Sequence, residues 1–162
     1  MKNLLLTTAV ILSFATIGCS QKSPKKEAKG KVNGVSVEIV YCSPSARGRT
    51  IMGELVPFKK VWRTGANKAT TIEINKDAKF EGNNVAAGKY SLYTIPGKKE
   101  WTIIINRKTG QSGTEYDESA DAVRFTVKPE KTDAFVESFV ISVEKKGVKM
   151  EWENTSVSFD VK

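Results

Sequence analysis

The sequence predicts an all-β fold: one antiparallel β-sandwich, Greek-key or jelly-roll-like, of about eight or nine strands. Three observations predict it. Short apolar stretches with two-residue alternation recur along the chain, turn residues separate them closely, and no long segment carries a helical period. Many short strands punctuated in this way pack as two facing sheets.

Val35, Val37, Ile39 and Tyr41 alternate with Ser36, Glu38 and Val40, giving a strand with one buried face. Residues 70–75 form a β-branched run. Residues 90–95 and 101–106 flank Pro96-Gly97-Lys98-Lys99, a turn-rich hairpin connection. Further strands are expected over 123–127 and 139–144. The last two, over 148–152 and 157–161, follow turns at Lys145-Lys146-Gly147 and Glu153-Asn154. One short helix, residues 133–138, is expected with Asp133 as its cap. Val85-Ala86-Ala87-Gly88-Lys89-Tyr90 resembles a tyrosine corner, in which the phenol hydroxyl bonds to backbone upstream and pins a crossover.

The N-terminal region is of another kind. Met1-Lys2-Asn3 and the apolar residues 4–17 read as a secretory signal, too short for a comfortable membrane span. Gly18-Cys19 resembles a lipobox, so residues 1–18 are expected to be a lipoprotein signal peptide and Cys19 to be acylated. Such a chain would hold the protein on the bacterial cell envelope, facing the periplasm from the outer membrane. Residues 19–31 are expected to be the lipidated cysteine and a disordered basic tether, and residues 32–162 the folded domain.

Charge follows this division. The chain carries 26 basic and 18 acidic side chains, a net of +8. Residues 20–31 hold Lys22, Lys25, Lys26, Lys29 and Lys31 against Glu27, and the domain from Val32 onward carries only +3. A nucleic-acid domain concentrates basic charge on its own surface, so no nucleic-acid partner is expected. A basic segment beside anionic headgroups is the simpler account.

The chain has no histidine, which excludes Ser-His-Asp and Cys-His catalysis and His-rich zinc sites. If Cys19 is acylated, Cys42 has no intramolecular disulfide partner. It ends an apolar strand and reads as a packing thiol.

Two loops concentrate forked donors: Arg47-Gly48-Arg49, and Trp62-Arg63-Thr64-Gly65-Ala66-Asn67. Arginine presents a planar donor set suited to carboxylate, phosphate or sulfate. Arg47, Arg49, Trp62, Arg63 and Asn67 are therefore the candidate ligand-binding residues, against the plainer reading that the arginines tie down loops and Trp62 fills the core. Asp117 joins them from an acidic loop that includes Glu115, Glu118 and Asp121. Such oxygen ligands suit Ca²⁺, although the spacing is not that of an EF-hand, and no other cofactor or metal is expected.

The function expected from these residues is a non-catalytic binding module for an anionic or carbohydrate ligand. The alternatives are a hydrolase using Asp117, Glu118 or Glu115 as acid and base, and an assembly protein acting by protein contact. No catalytic residue is assigned.

The stretches Tyr41 to Arg49, Leu55-Val56-Pro57-Phe58, Val61-Trp62-Arg63-Thr64-Gly65-Ala66-Asn67 and Ala87-Gly88-Lys89-Tyr90-Ser91-Leu92 together resemble the bacterial family called domain of unknown function 2911. So do Ile95-Pro96-Gly97, Glu100-Trp101-Thr102, Tyr116-Asp117 and Trp152-Glu153-Asn154. The resemblance covers residues 31–162. It implies an exported envelope protein, often a lipoprotein, and no particular activity, substrate or catalytic residue.

Overall fold

A computed structural model describes residues 23–162. The expected signal peptide, Cys19 and the first residues of the expected tether lie outside the described residues. Within them are ten strands: β1 (Lys25–Val32), β2 (Val35–Cys42), β3 (Thr70–Ile74), β4 (Ala78–Phe80), β5 (Asn83–Val85), β6 (Gly88–Ile95), β7 (Trp101–Asn106), β8 (Asp121–Val127), β9 (Glu130–Val143) and β10 (Gly147–Asp160). A single 3₁₀ turn, Glu118–Ala120, precedes β8. No helix among them is long and apolar enough to cross a membrane.

The architecture is an antiparallel β-sandwich, not a closed barrel. One layer is a six-stranded sheet in the order β1-β2-β3-β6-β7-β8, and the facing layer is the long β9–β10 ribbon with the β4–β5 hairpin. Alternation on β2 is strict: Val35, Val37, Ile39 and Tyr41 are buried while the residues between them are not. This inner face meets the ribbon directly. Tyr41 packs edge-on against Phe139, and its hydroxyl accepts the buried Ile141 N–H at 3.1 Å. Trp62 stacks on Trp152 at 5.9 Å and meets the edges of Trp101 and Phe139, closing one end of the core.

Tyr90 does form the expected corner, its hydroxyl donating to the Ala86 carbonyl at 2.9 Å. Two expectations are corrected. Residues 25–31 are not disordered tether but most of β1, paired with β2 along its whole length from Lys25↔Cys42 to Val32↔Val35. Ala28 and Val32 point into the core, and Gly30 lets Val143 of β9 close over the strand where any Cβ would collide. The lysines between them crown an edge strand, a common defence against unwanted pairing. Residues 133–138 are not a helix. They extend β9, because β10 continues opposite them through bulges around Glu153 (φ 57°).

Candidate functional site

The outer face of the large sheet is built in rows of paired residues. The first row is charged: Lys29, Glu38, Glu73 and Lys89 stand side by side across β1, β2, β3 and β6. Lys29 bridges Glu38 at 3.2 Å and Lys89 bridges Glu73 at 3.3 Å. Hydrogen bonds to Glu27, at 3.1 Å, and to Glu38 raise the pKa of Lys29, and the bond from Lys29 lowers that of Glu38. The second row runs Glu27, Val40, Thr71, Ser91 and Asn106. The third begins with Lys25 opposite Cys42, and farther across the sheet it includes Tyr93 opposite Ile104.

The loop of residues 107–120 folds back over this face. Asn106 donates to the Asp117 carbonyl at 2.8 Å and to Asp121 Oδ1 at 2.7 Å, holding the two ends of the loop together. Tyr116 lays its ring against Tyr93 and donates to Asp121 at 2.7 Å. Ala69, Tyr93 and Ile104 thereby form a second small apolar cluster, separate from the main core. Burial raises the pKa of Tyr93, and burial together with the Asp121 hydrogen bond raises that of Tyr116.

Between this loop and strands β2 and β3 lies a groove of about 490 Å³. Its lining includes Val40, Cys42, Ala69, Lys25, Lys68 and Gln111, with Lys89 at one side and no carboxylate. Lys25 and Lys68 are exposed and join no ion pair among the described residues. A larger cavity of about 700 Å³ lies beside β4 and β5. Part of its polar lining is committed: Asp77 caps the Ala87 N–H, Arg107 donates to the Asp121 carbonyl, and Lys162 bridges Asp160.

Three buried side-chain polar atoms lack a partner among the described residues: Arg63 Nε, Ser91 Oγ and Gln111 Oε1. All three stand at the 107–120 loop. Gln111 belongs to it, donating to the Tyr93 hydroxyl and the Lys108 carbonyl, each at 3.0 Å. Ser91 pairs with Asn106 at the loop entrance. The Arg63 stem lies against Gly113 so closely that a side chain there would strike it.

The expected site residues divide accordingly. Arg63 and Asn67 do meet the acidic-loop region, through Gly113, and Lys68 pairs with Ser112. Their own loop turns sharply beneath the end of β2, with Thr64 (φ 54°) and Asn67 (φ 60°) left-handed and Ala66 N–H donating to the Cys42 carbonyl at 3.2 Å. Trp62 is a core residue, its indole N–H bonded to the Gly65 carbonyl at 3.1 Å. The Arg47 to Arg49 loop is tied to the other layer: Glu137 accepts the Arg47 N–H at 2.8 Å, and Ala46 N–H donates to the Glu137 carbonyl at 2.7 Å. Arg49 donates to the Ala46 and Ser45 carbonyls of its own loop.

Asp117 caps the 3₁₀ turn. It accepts from Ser119 N–H and Oγ, hydrogen bonds that lower its pKa, and it faces Lys108 at 3.7 Å. Glu118 bridges Arg124 at 2.9 Å, and Asp121 serves Tyr116 and Arg124. Among the described residues no group of three or more Cys, Asp or Glu is placed to hold a metal ion.

The family described as Protein of unknown function (DUF2911) matches residues 23–161. The chain belongs to the DUF2911 family. No curated protein and no solved structure matches it. The matched span takes in every strand, so the DUF2911 unit is the whole sandwich with its β1 edge, its groove and the covering loop.

Sequence reasoning missed Lys25, Lys68, Gln111 and the Cys42 wall. One signal was present: Val40 and Cys42 are apolar at outward positions of an otherwise alternating strand, where a solvated face would carry polar groups.

Proposed function

We propose that this DUF2911 protein is a non-catalytic binding module, anchored to the cell envelope by lipid on Cys19, that takes an anionic ligand in the outer-face groove. The observation that carries the reading is the groove's lining: Lys25 and Lys68 stand over an apolar floor with no carboxylate among them. Its volume, about 490 Å³, falls in the range of small-molecule sites, roughly 300 to 1,000 Å³.

The unpartnered polar atoms support the same location. Native domains leave few buried polar groups unsatisfied, and each instance calls for an explanation such as a working site. An anion is favoured over a sugar because Trp62, the expected stacking surface, is occupied by Trp101, Phe139 and Trp152. Of the carboxylates expected of a hydrolase, Asp117 is engaged with Lys108 and Ser119, and Glu118 with Arg124.

The test is a calorimetric screen of small anions and glycans against the protein and its Lys68→Glu variant. Binding of an anion that weakens about ten-fold or more in the variant is expected. Binding of glycans alone, or an anion affinity that Lys68→Glu leaves unchanged, would contradict the reading. The anchor is checked separately, by metabolic incorporation of labelled palmitate that disappears in Cys19→Ala.

A further inference from the structure

We propose that the groove binds an acidic amphiphile drawn from the membrane that carries the protein, with the acyl chain on Val40, Ala69 and Cys42 and the acid group held by Lys25 and Lys68. The inference rests on the anion-binding reading above and narrows it to one ligand class.

The lining requires both halves of such a molecule. Val40 and Cys42 point outward from β2, where Ser36 and Glu38 occupy the equivalent positions farther along the strand. A purely ionic ligand makes no use of that apolar floor. Lys25 stands opposite Cys42 on the edge strand, and Lys68 enters from the turn before β3, so cations lie at the margins rather than along the floor. Long lysine stems suit this arrangement, since their methylenes extend the apolar surface while the ammonium groups stay in water.

Gln111 offers a further contact to a headgroup that carries a donor. It lines the groove, is only 9% exposed, and keeps Oε1 without a partner. That oxygen accepts from a headgroup hydroxyl or amide N–H once the loop admits the ligand.

Position supplies the source. Lys25 stands six positions after Cys19, a reach of roughly 20 Å at full extension. Acylation of Cys19 therefore keeps Lys25, and the groove it borders, within about that distance of the headgroups. Confinement of this kind raises the effective concentration of membrane amphiphiles at the groove without any added contact.

The experiment uses the full chain carrying Cys19→Ala, which leaves Cys42 as the one thiol. Alkylation of Cys42 by N-ethylmaleimide is followed by mass spectrometry in the presence of hexadecanoate, palmitoyl-lysophosphatidylglycerol, acetate or inorganic phosphate. The two amphiphiles are expected to slow alkylation about ten-fold at concentrations where acetate and phosphate do not. Whichever amphiphile protects at the lower concentration identifies the source as free acid or phospholipid. Lys25→Glu with Lys68→Glu is expected to abolish protection, whereas Lys79→Glu, at the larger cavity, leaves it intact.

Equal protection by acetate or phosphate would overturn the amphiphile proposal and leave the anion-binding reading standing. Protection by none of the four would overturn both. Amphiphile protection that persists in the doubly substituted chain would also reject the proposal.

Discussion

The two faces of the six-stranded sheet share a backbone and differ in what their side chains accomplish. On the inner face Ile39, Ile72, Leu92, Ile103 and Ile105 are fully enclosed, and the polar groups that reach it, such as the Tyr41 hydroxyl, find partners. The outer face buries only a small cluster around Tyr93, and beside it stand all three of the unpartnered buried polar atoms. The inner face accounts for the fold. The outer face leaves a groove, free ammonium groups and a loop laid over the sheet through Tyr93, Tyr116, Gln111, Asn106 and Arg63, which suits the proposed site better than a core.

The contrast predicts where substitutions will hurt. Trp152 is 2% exposed, stacked on Trp62 and hydrogen-bonded to the Glu137 carbonyl, so Trp152→Ala should lower stability by about 3–5 kcal/mol in urea unfolding. A loss well under that figure would mean that the inner face is less closely packed than described.

Gly113→Ala acts on the other face. Its Cβ would collide with the Arg63 stem and lie 2.5 Å from the Asn67 carbonyl. A smaller loss of about 1–3 kcal/mol is expected, together with faster hydrogen exchange in residues 107–116 and unchanged exchange in β9 and β10. Exchange that rises equally throughout the sandwich would remove the distinction between the faces.

Alkali should find the outer face first. Burial raises the pKa of both Tyr93 and Tyr116 above their ordinary value near 10. A raised folded-state pKa favours the protonated phenol in the native protein, so this stabilisation is complete below about pH 10 and is lost as pH rises toward the folded-state values. Ultraviolet titration should show two phenols ionising late, with stability falling above about pH 10. Four phenols that titrate together at the ordinary value would contradict it.

Ser91→Ala should be the mildest change. The Ser91 hydroxyl is buried without a partner, so its removal is expected to leave stability within about 1 kcal/mol or raise it. A larger loss would show that Ser91 is hydrogen-bonded after all.

Most of the fold was legible because alternation is a local signal. Val35 to Tyr41 announced β2, and Pro96-Gly97 announced the β6–β7 turn. Strand β1 was not legible: Lys25 to Lys31 offers only Ala28 toward the core, and its extended form depends on the β2 edge and on Val143 above Gly30. The Asp133 to Ser138 stretch was misread for a related reason, since its partner strand is the later half of β10.

The site was half legible. Arginine-rich loops drew attention to Arg63 and Asn67, which do border the 107–120 loop, but equally to Arg47 and Arg49, which the Glu137 carboxylate of β9 and local carbonyls hold. Lys25, Cys42, Lys68 and Gln111 are spread over 87 positions of sequence, and only the sheet register and the folded-back loop bring them together.

Hydrogen exchange of the full chain carrying Cys19→Ala, with and without palmitoyl-lysophosphatidylglycerol, tests the central claim most directly. Ligand-induced protection is predicted in residues 107–116 and at the β1–β2 end around Lys25 and Cys42, with little change at the Arg47 to Arg49 loop. Protection centred on the Arg47 to Arg49 loop or on β9, with none at residues 107–116, would contradict the assignment of function to the outer face.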